Sequence, residues 1–260
     1  MPTSKLSGQN VLILGGTSGI GFAVAELCLA EGATVAISSS NQSKIDNATT
    51  RLLSTSPFSK DHITGHICNL SDSATLEINL TTLFSTLLPE KMKPLDHIVF
   101  TAGDALAVSP PAGYSTNLIL SAGTVRFLAP LILAKVAIPY LRKAKSSSLT
   151  LTSGTVAERP QAGWAIPAAY AAAVHGIVRG LARDLMPIRV NAVSPGAVMT
   201  ELWDGIPEGQ RQGVWGEIAK GHTTGEMGQP EHVAEAYLYF IKDWNCSGSV
   251  VKSNGGVLLL

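Results

Sequence analysis

One stretch constrains this chain more than any other. The apolar run Val11–Leu14 breaks directly into Gly15-Gly16-Thr17-Ser18-Gly19-Ile20-Gly21, and an amphipathic helical pattern then continues to about Glu31. Gly32 ends that helix, and Thr34–Ile37 forms a second apolar run. Strand, glycine-rich turn, helix and strand make a βαβ unit, which commits the chain to a parallel sheet. The alternation persists. Helical segments near Ser43–Ser54, Ser71–Leu88, Tyr114–Lys143, Ala168–Met186 and Glu231–Lys242 separate strands near Ile63–Cys68, His97–Thr101, Leu149–Thr152, Arg189–Val193 and Ser249–Lys252. Continuously apolar strands fit a sheet covered on both faces. No linker, repeat or low-complexity tract interrupts the pattern. The expected architecture is therefore α/β: a single doubly wound Rossmann-type domain over residues 1–260, with a parallel sheet of about seven strands. One segment breaks the rhythm, Glu201–Gly228, rich in Gly, Trp and Pro. It follows the sixth strand and is expected to be a substrate-covering lid or an irregular surface loop.

Composition narrows the function classes. Of 260 residues, 45% are hydrophobic and 15% charged, and 19 basic side chains balance 19 acidic ones. Zero net charge argues against a nucleic-acid or anionic-membrane partner and leaves a small molecule as the expected ligand. The low charged fraction predicts apolar surface buried between subunits. Met1–Asn10 carries one Lys and no apolar core, unlike a signal peptide. No run reaches the roughly 18 uncharged residues that a spanning helix needs, so a cytoplasmic location is expected. Phe127–Tyr140 contains Pro130 and Lys135 and reads as a buried helix. Cys28, Cys68 and Cys246 are odd in number and far apart. They read as small buried hydrophobes, and no metal site is expected.

A strand feeding a glycine-rich turn and a helix N-terminus aims backbone N–H groups and the positive end of the helix dipole at a pyrophosphate. Gly15, Gly19 and Gly21 follow G-x-x-x-G-x-G, a different spacing from the common G-x-G-x-x-G fingerprint.

The chain resembles the short-chain dehydrogenase/reductase family over nearly its full length. The family's T-G-x-x-x-G-I-G appears as Leu14 to Gly21 and its N-A-G as Thr101-Ala102-Gly103. Its P-G-x-V-x-T appears as Pro195 to Thr200, its G-x-P-E-x-V-A as Gly228 to Ala234, and its terminal G-G as Gly255-Gly256. The resemblance implies a nicotinamide dinucleotide held by the Gly15–Gly21 turn, with Gly15, Ser18 and Ile20 beside the pyrophosphate and Thr17, Gly19 and Gly21 completing the turn. It implies Asn69 at the adenine, Ala102 and Gly103 at the ribose, and Pro195, Gly196, Val198 and Thr200 at the nicotinamide. Ser39 stands where an NAD site wants a carboxylate for the ribose hydroxyls. Ser39, Ser40 and Asn41, with Lys44 one turn on, can instead donate to a 2′-phosphate, so NADP(H) is expected. The other reading of this cluster is a helix N-cap without a phosphate contact.

The family's proton relay uses a Tyr, a Lys four residues later, a Ser and an Asn. Here Tyr170 is followed at i+4 by Val174. His175 lies about 140° from Tyr170 around a helix and is expected to point elsewhere, as a packing or interface histidine. Ser153 or Gly154 takes the serine position. Arg126 falls at the asparagine position, inside an apolar helical segment where a cation needs a partner such as Glu158 or a backbone carbonyl. As a fixed cation at the site, it could instead polarise a substrate amide or carbonyl. An iminium ion carries its own positive charge and needs no acid when hydride arrives, unlike a ketone. The segment from Thr152 to Trp164, with Arg126 and the lysine-less Tyr170, resembles a divergent fungal branch of the family. That branch acts in prenylated indole alkaloid pathways, reducing iminium-type intermediates with NADPH and guiding a [4+2] cycloaddition. The resemblance makes Arg126, Tyr170, Ser153 and Glu158 the candidate catalytic residues. Ordinary ketone reduction with Tyr170 as acid, or dinucleotide binding without catalysis, are the other readings. Trp164, Trp203 and Trp215 are expected either as flat walls for a polycyclic or apolar substrate or as core and interface residues.

Overall fold

The structure is a computed structural model that describes residues 4–55, 60–89 and 94–260, so the first three residues of the Met1–Asn10 stretch lie outside it. Seven strands form one parallel sheet: β1 (Asn10–Leu14), β2 (Thr34–Ser39), β3 (Ile63–Ile67), β4 (His97–Phe100), β5 (Ser148–Thr152), β6 (Arg189–Pro195) and β7 (Val250–Ser253). Their spatial order is β3-β2-β1-β4-β5-β6-β7. The chain winds outward from β1 to β3 and then crosses back to β4 on the other side. The strand order thus reverses between β1 and β4, and a ligand crevice opens there, beyond the carboxyl ends of those strands.

Strand side chains alternate between the two faces, and both faces are covered, so nearly every position in β1 is buried. Leu12 and Leu14 join Ile98, Phe100, Leu149 and Val190 in a core on one face. Val11 and Ile13 join Val35, Ile37 and Val193 in a core on the other. Helices α3 (Leu76–Leu87), α5 (Ala129–Ala137) and α6 (Ala165–Asp184) close the first core, and α4 (Thr116–Gly123) precedes α5 outside it. Helices α1 (Gly19–Ala30), α2 (Gln42–Thr55) and α8 (Pro230–Lys242) close the second.

Several boundaries differ from the sequence expectation. The segment Ser71–Leu88 becomes helical only at Leu76, because Asp72 accepts from Ala74 N at 2.9 Å and from the Thr75 hydroxyl at 3.0 Å. Those local bonds compete with helix. The helix expected from Ala168 begins at Ala165 instead, since Pro167 lies in the first turn, where its missing N–H costs nothing. Tyr114–Lys143 is not one α-helix. A π turn, Thr124–Leu128, separates α4 from α5, and a 3₁₀ turn ends the rod at Ile138–Tyr140. Within Glu201–Gly228 a helix, α7 (Glu208–Lys220), forms despite Gly209, Gly213 and Gly216. Each of those glycines costs about 1 kcal/mol relative to Ala, which is why the sequence shows no helical signal there.

Two stretches, Thr116–Tyr140 and Ala165–Asp184, are long and apolar enough to cross a membrane by length and composition. Both contribute a buried face to the first core. Two buried polar side chains away from the crevice, Arg189 and His97, are fully engaged. The Arg189 guanidinium donates to the carbonyls of Phe240, Ile241 and Asp243, closing the C-terminus of α8. His97 donates from Nε2 to Gln9 Oε1 at 2.7 Å and accepts from the Ser148 hydroxyl at 2.8 Å. A neutral ring satisfies both bonds, and burial, outweighing the pull of Asp96, brings His97 down to about 3.

Candidate active site

The glycine-rich turn is shaped by contacts that leave no room for side chains. A Cβ on Gly21 would fall 2.3 Å from Gly15 O and 2.4 Å from Thr101 Oγ1. Gly15 has φ +86°, and its Cβ would meet Ala102 N at 2.6 Å. Thr101 Oγ1 donates to Leu14 O at 3.1 Å, so the ends of β1 and β4 are tied together at the point of reversal. Ser18 precedes the first residue of α1 and makes no capping bond with its side chain. The turn Gly15, Thr17, Ser18, Gly19, Ile20 and Gly21 therefore presents the N-terminus of a twelve-residue helix to the crevice. A Cβ on Gly19 would sit 2.9 Å from Thr200 Cγ2, which brings the far side of the crevice against the same turn.

At the end of β2, Ser39 is half-buried while Ser40, Asn41 and Lys44 are exposed. Asn41 Oδ1 accepts from Lys44 N at 3.1 Å and from the Ser43 hydroxyl at 2.7 Å. The N-cap reading of this cluster is thus seen directly, and it leaves the Asn41 amide N–H groups and the Lys44 ammonium facing outward. Lys44 makes no ion pair among the described residues. Cys68 N donates to Ser39 O at 2.9 Å, which sets Asn69 beside this end of the sheet. Asn69 Oδ1 accepts from both Ser71 N and the Ser71 hydroxyl, so its amide donors remain.

The far wall is the turn after β6. Gly196 N donates to Ser253 O at 3.2 Å. Val198 is buried in a bridge with Gly228, and Trp203 Nε1 donates to Val198 O at 2.7 Å. Pro195, Gly196, Val198 and Thr200 thus form one pinned turn. Trp203 has a structural bond there, Trp164 precedes the first residue of α6, and Trp215 lies on α7 with its Nε1 buried and without a partner among the described residues.

Between these walls sits Arg126, on the π turn. Its Nε donates to Asp104 Oδ1 at 3.0 Å, and its Nη2 makes a short bond to Asp104 O. A Cβ on Gly103 would meet Nη2 at 3.0 Å and Nη1 at 3.2 Å, so the guanidinium lies close against Gly103. Burial lowers Arg126 from its ordinary value and Asp104 opposes that shift; an arginine stays charged nonetheless. The partner is thus Asp104 rather than Glu158. Glu158 accepts from Lys252 at 2.6 Å, since the turn after β5 carries it toward β7 and away from α4. Sequence reasoning missed Asp104, although it directly follows the Ala102-Gly103 pair.

Arg126 and Tyr170 line a shallow recess with Ala105, Leu106, Ala107, Ala122 and Pro167. The structure brings these two candidate residues together but separates them from the others. The Tyr170 hydroxyl donates to Ile119 O at 2.8 Å, and its ring packs where a Cβ on Gly123 would lie 2.5 Å away. Ser153 is on the other side of α6, donating to Ala171 O at 2.8 Å with His175 Nε2 at 3.1 Å. Tyr170 and Ser153 do not share a point as a relay would require. His175 does point away from the Tyr170 phenol, and the residue it meets is Ser153. Val174 is buried.

This fold and crevice define a doubly wound dinucleotide-binding protein. The particular lineage follows from comparison. A family model described as an SDR-like Rossmann domain matches residues 3–260, and the chain belongs to the short-chain dehydrogenase/reductase family. It is 45% identical over 258 residues to the short-chain dehydrogenase/reductase fsr5 of Gibberella fujikuroi, covering 98% of this chain and 97% of that protein. It is 42% identical over 262 residues to the short-chain dehydrogenase/reductase malC of Malbranchea aurantiaca, covering 98% and 96%. The solved structure of the MalC reductase/Diels-Alderase from Malbranchea aurantiaca superimposes with a TM-score of 0.93 at 40% identity, covering 99% of each chain.

Proposed function

We propose that this protein is an NADP(H)-dependent reductase of specialised metabolism. In this reading it delivers hydride to an iminium or similarly activated carbon of a polycyclic or apolar small molecule, and the same pocket serves an intramolecular [4+2] cyclisation. The observation that carries this reading is Arg126, clamped by Asp104 and Gly103 at the recess where the family relay would place an asparagine. Two similarities support it: the 40% identity to a structure described as a reductase/Diels-Alderase, and a 26% identical relative solved in complex with NADPH.

The residues present fit a dinucleotide. Gly15 and Gly21 occupy places that any Cβ would block, and the N-terminus of α1 carries no side-chain cap from Ser18. Bound there, the reduced nicotinamide supplies a hydride. The Gly15–Gly21 turn would hold the pyrophosphate, Ser39, Ser40, Asn41 and Lys44 the 2′-phosphate, Asn69 the adenine, and Ala102 and Gly103 the ribose. Pro195, Gly196, Val198 and Thr200 would hold the nicotinamide, and residues 201–228 would cover the substrate.

Asp104 holds one edge of the Arg126 guanidinium, so the charge is fixed in place before substrate arrives. A fixed cation can orient a carbonyl or amide oxygen without reorganising. Tyr170, its own hydrogen engaged by Ile119 O, shapes the recess and can accept a further hydrogen bond. That engagement disfavours Tyr170 as an acid for ketone reduction. Exposed Ile119, Leu120 and Ile138 would pack against a second copy of the chain, giving a dimer or tetramer that light scattering would register.

The deciding experiment measures NADPH oxidation with a cyclic iminium substrate. Arg126→Ala should lower kcat about 100-fold while the Kd for NADPH stays within about threefold. Equal turnover in the variant defeats the role of Arg126, and tighter binding of NAD than NADP defeats the cofactor assignment.

A further inference from the structure

Asn69 stands just past the end of β3, and its neighbours fix its amide in one orientation. Ser71 N donates to Asn69 Oδ1 at 3.0 Å, and the Ser71 hydroxyl donates to the same oxygen at 2.7 Å. A backbone N–H can only donate, so the atom it meets is the amide oxygen and the amide nitrogen faces the other way. Both lone pairs of Oδ1 are thereby taken. Asn79, in the first turn of α3, donates to Asn69 O at 2.9 Å and to Thr75 Oγ1 at 3.2 Å, which pins the backbone as well. Asn69 is exposed, and neither hydrogen on its Nδ2 has a partner among the described residues. The side chain therefore offers hydrogen bonds and takes none.

The order of the sheet determines what these donors meet. The glycine-rich turn lies at the end of β1, Ser39 ends β2, and β3 is the next strand outward, about 4.8 Å further on. Cys68 N donates to Ser39 O at 2.9 Å, joining the two strand ends one residue before Asn69. A dinucleotide with its pyrophosphate at Gly15–Gly21 and its ribose at Ser39 carries its purine toward Asn69. We infer, on the cofactor reading above, that Asn69 makes this base subsite donor-only, so that the protein accepts a 6-oxopurine dinucleotide as readily as the adenine form. At position 6 adenine carries an amino group, a donor, whereas hypoxanthine carries a carbonyl oxygen, an acceptor. A carboxylate at residue 69 would accept from the amino group. The Asn69 nitrogen instead meets it donor to donor and can bond adenine only through a ring nitrogen. With hypoxanthine the same nitrogen donates to the carbonyl oxygen directly. Asn69 is thus a specificity-determining residue for the base, separate from the Ser39–Lys44 cluster.

The test uses the full chain and two probes, NADPH and its deaminated form, in which hypoxanthine replaces adenine. Each is titrated against the protein by dihydronicotinamide fluorescence, with no substrate present. The two Kd values should agree within about threefold or favour the deaminated form. Asn69→Asp keeps an acceptor for Ser71 and replaces the two outward donors with an acceptor. Its added charge acts on both probes alike, so the ratio of the two Kd values isolates the base. That ratio should move at least about tenfold toward NADPH. A wild-type preference for NADPH beyond the expected range, or a ratio unchanged in Asn69→Asp, overturns the inference and leaves the cofactor reading standing. Binding of neither probe overturns both.

Discussion

The two walls of the crevice are built on different principles. The dinucleotide wall is made of backbone: Gly15 and Gly21 are required because neighbouring main-chain atoms occupy the space of their side chains. The wall assigned to the substrate is made of side chains drawn from distant positions: Asp104 after β4, Arg126 on a π turn and Tyr170 inside α6. A backbone cradle tolerates almost no change, whereas a side-chain wall can be rewritten residue by residue without disturbing the sheet. That difference accounts for a chain that keeps the family turn and lacks its lysine, with Val174 buried in that place.

Substitutions should separate the two walls. The largest effect is expected from Gly21→Ala, because the new methyl group would meet Gly15 O at 2.3 Å. NADPH affinity should fall at least about 100-fold by fluorescence titration, corresponding to about 2.7 kcal/mol. Arg126→Ala should do the reverse, cutting kcat about 100-fold with little change in Kd. Comparable losses in both constants from either variant would show that the walls are not separable. Asp104→Asn keeps a hydrogen-bond acceptor for Arg126 Nε but removes the charge, and a fall in kcat of about tenfold is expected by steady-state assay. Ser39→Asp introduces a carboxylate at the end of β2 and should shift the ratio of NADPH to NADH affinity about tenfold toward NADH.

The smallest effect on either constant is expected at His97, remote from both walls. Its folded value of about 3 lies below the ordinary 6.5, so the unfolded chain binds the proton more readily. Its contribution to stability is complete above pH 6.5 and is lost as pH falls toward 3, at about 1.4 kcal/mol per pH unit. His97→Gln should flatten the fall in urea midpoint between neutral and acid pH.

The same contrast explains what could be read before the structure. Strand order, sheet type and the glycine-rich turn follow from short-range patterns, and all are present in the fold. The strand ends after β2 and β6 were legible for the same reason: Ser39–Lys44 and Pro195–Thr200 are contiguous. The Arg126–Asp104 pair was not, because the partners stand 22 positions apart on different elements and Glu158 offered an equal charge. Helix geometry placed His175 away from the Tyr170 phenol. It could not show that the strand end carrying Ser153 lies against that other face. Helix α7 was hidden by its three glycines.

The π turn at Thr124–Leu128 has a consequence for how such a wall can change. A π turn holds one residue more than the α-helical turn it replaces. The buried stripe of α5, with Ala129, Leu133 and Ala137, lies after it, and Gly123, which makes room for Tyr170, lies before it. The rod is therefore two helices out of phase by one residue, with Arg126 placed on the offset. Deleting one residue there would turn the preceding segment by about 100° relative to α5 and carry Gly123 away from Tyr170. The offset serves as a phase adjuster, letting the recess and the core each keep their own alignment along one continuous rod.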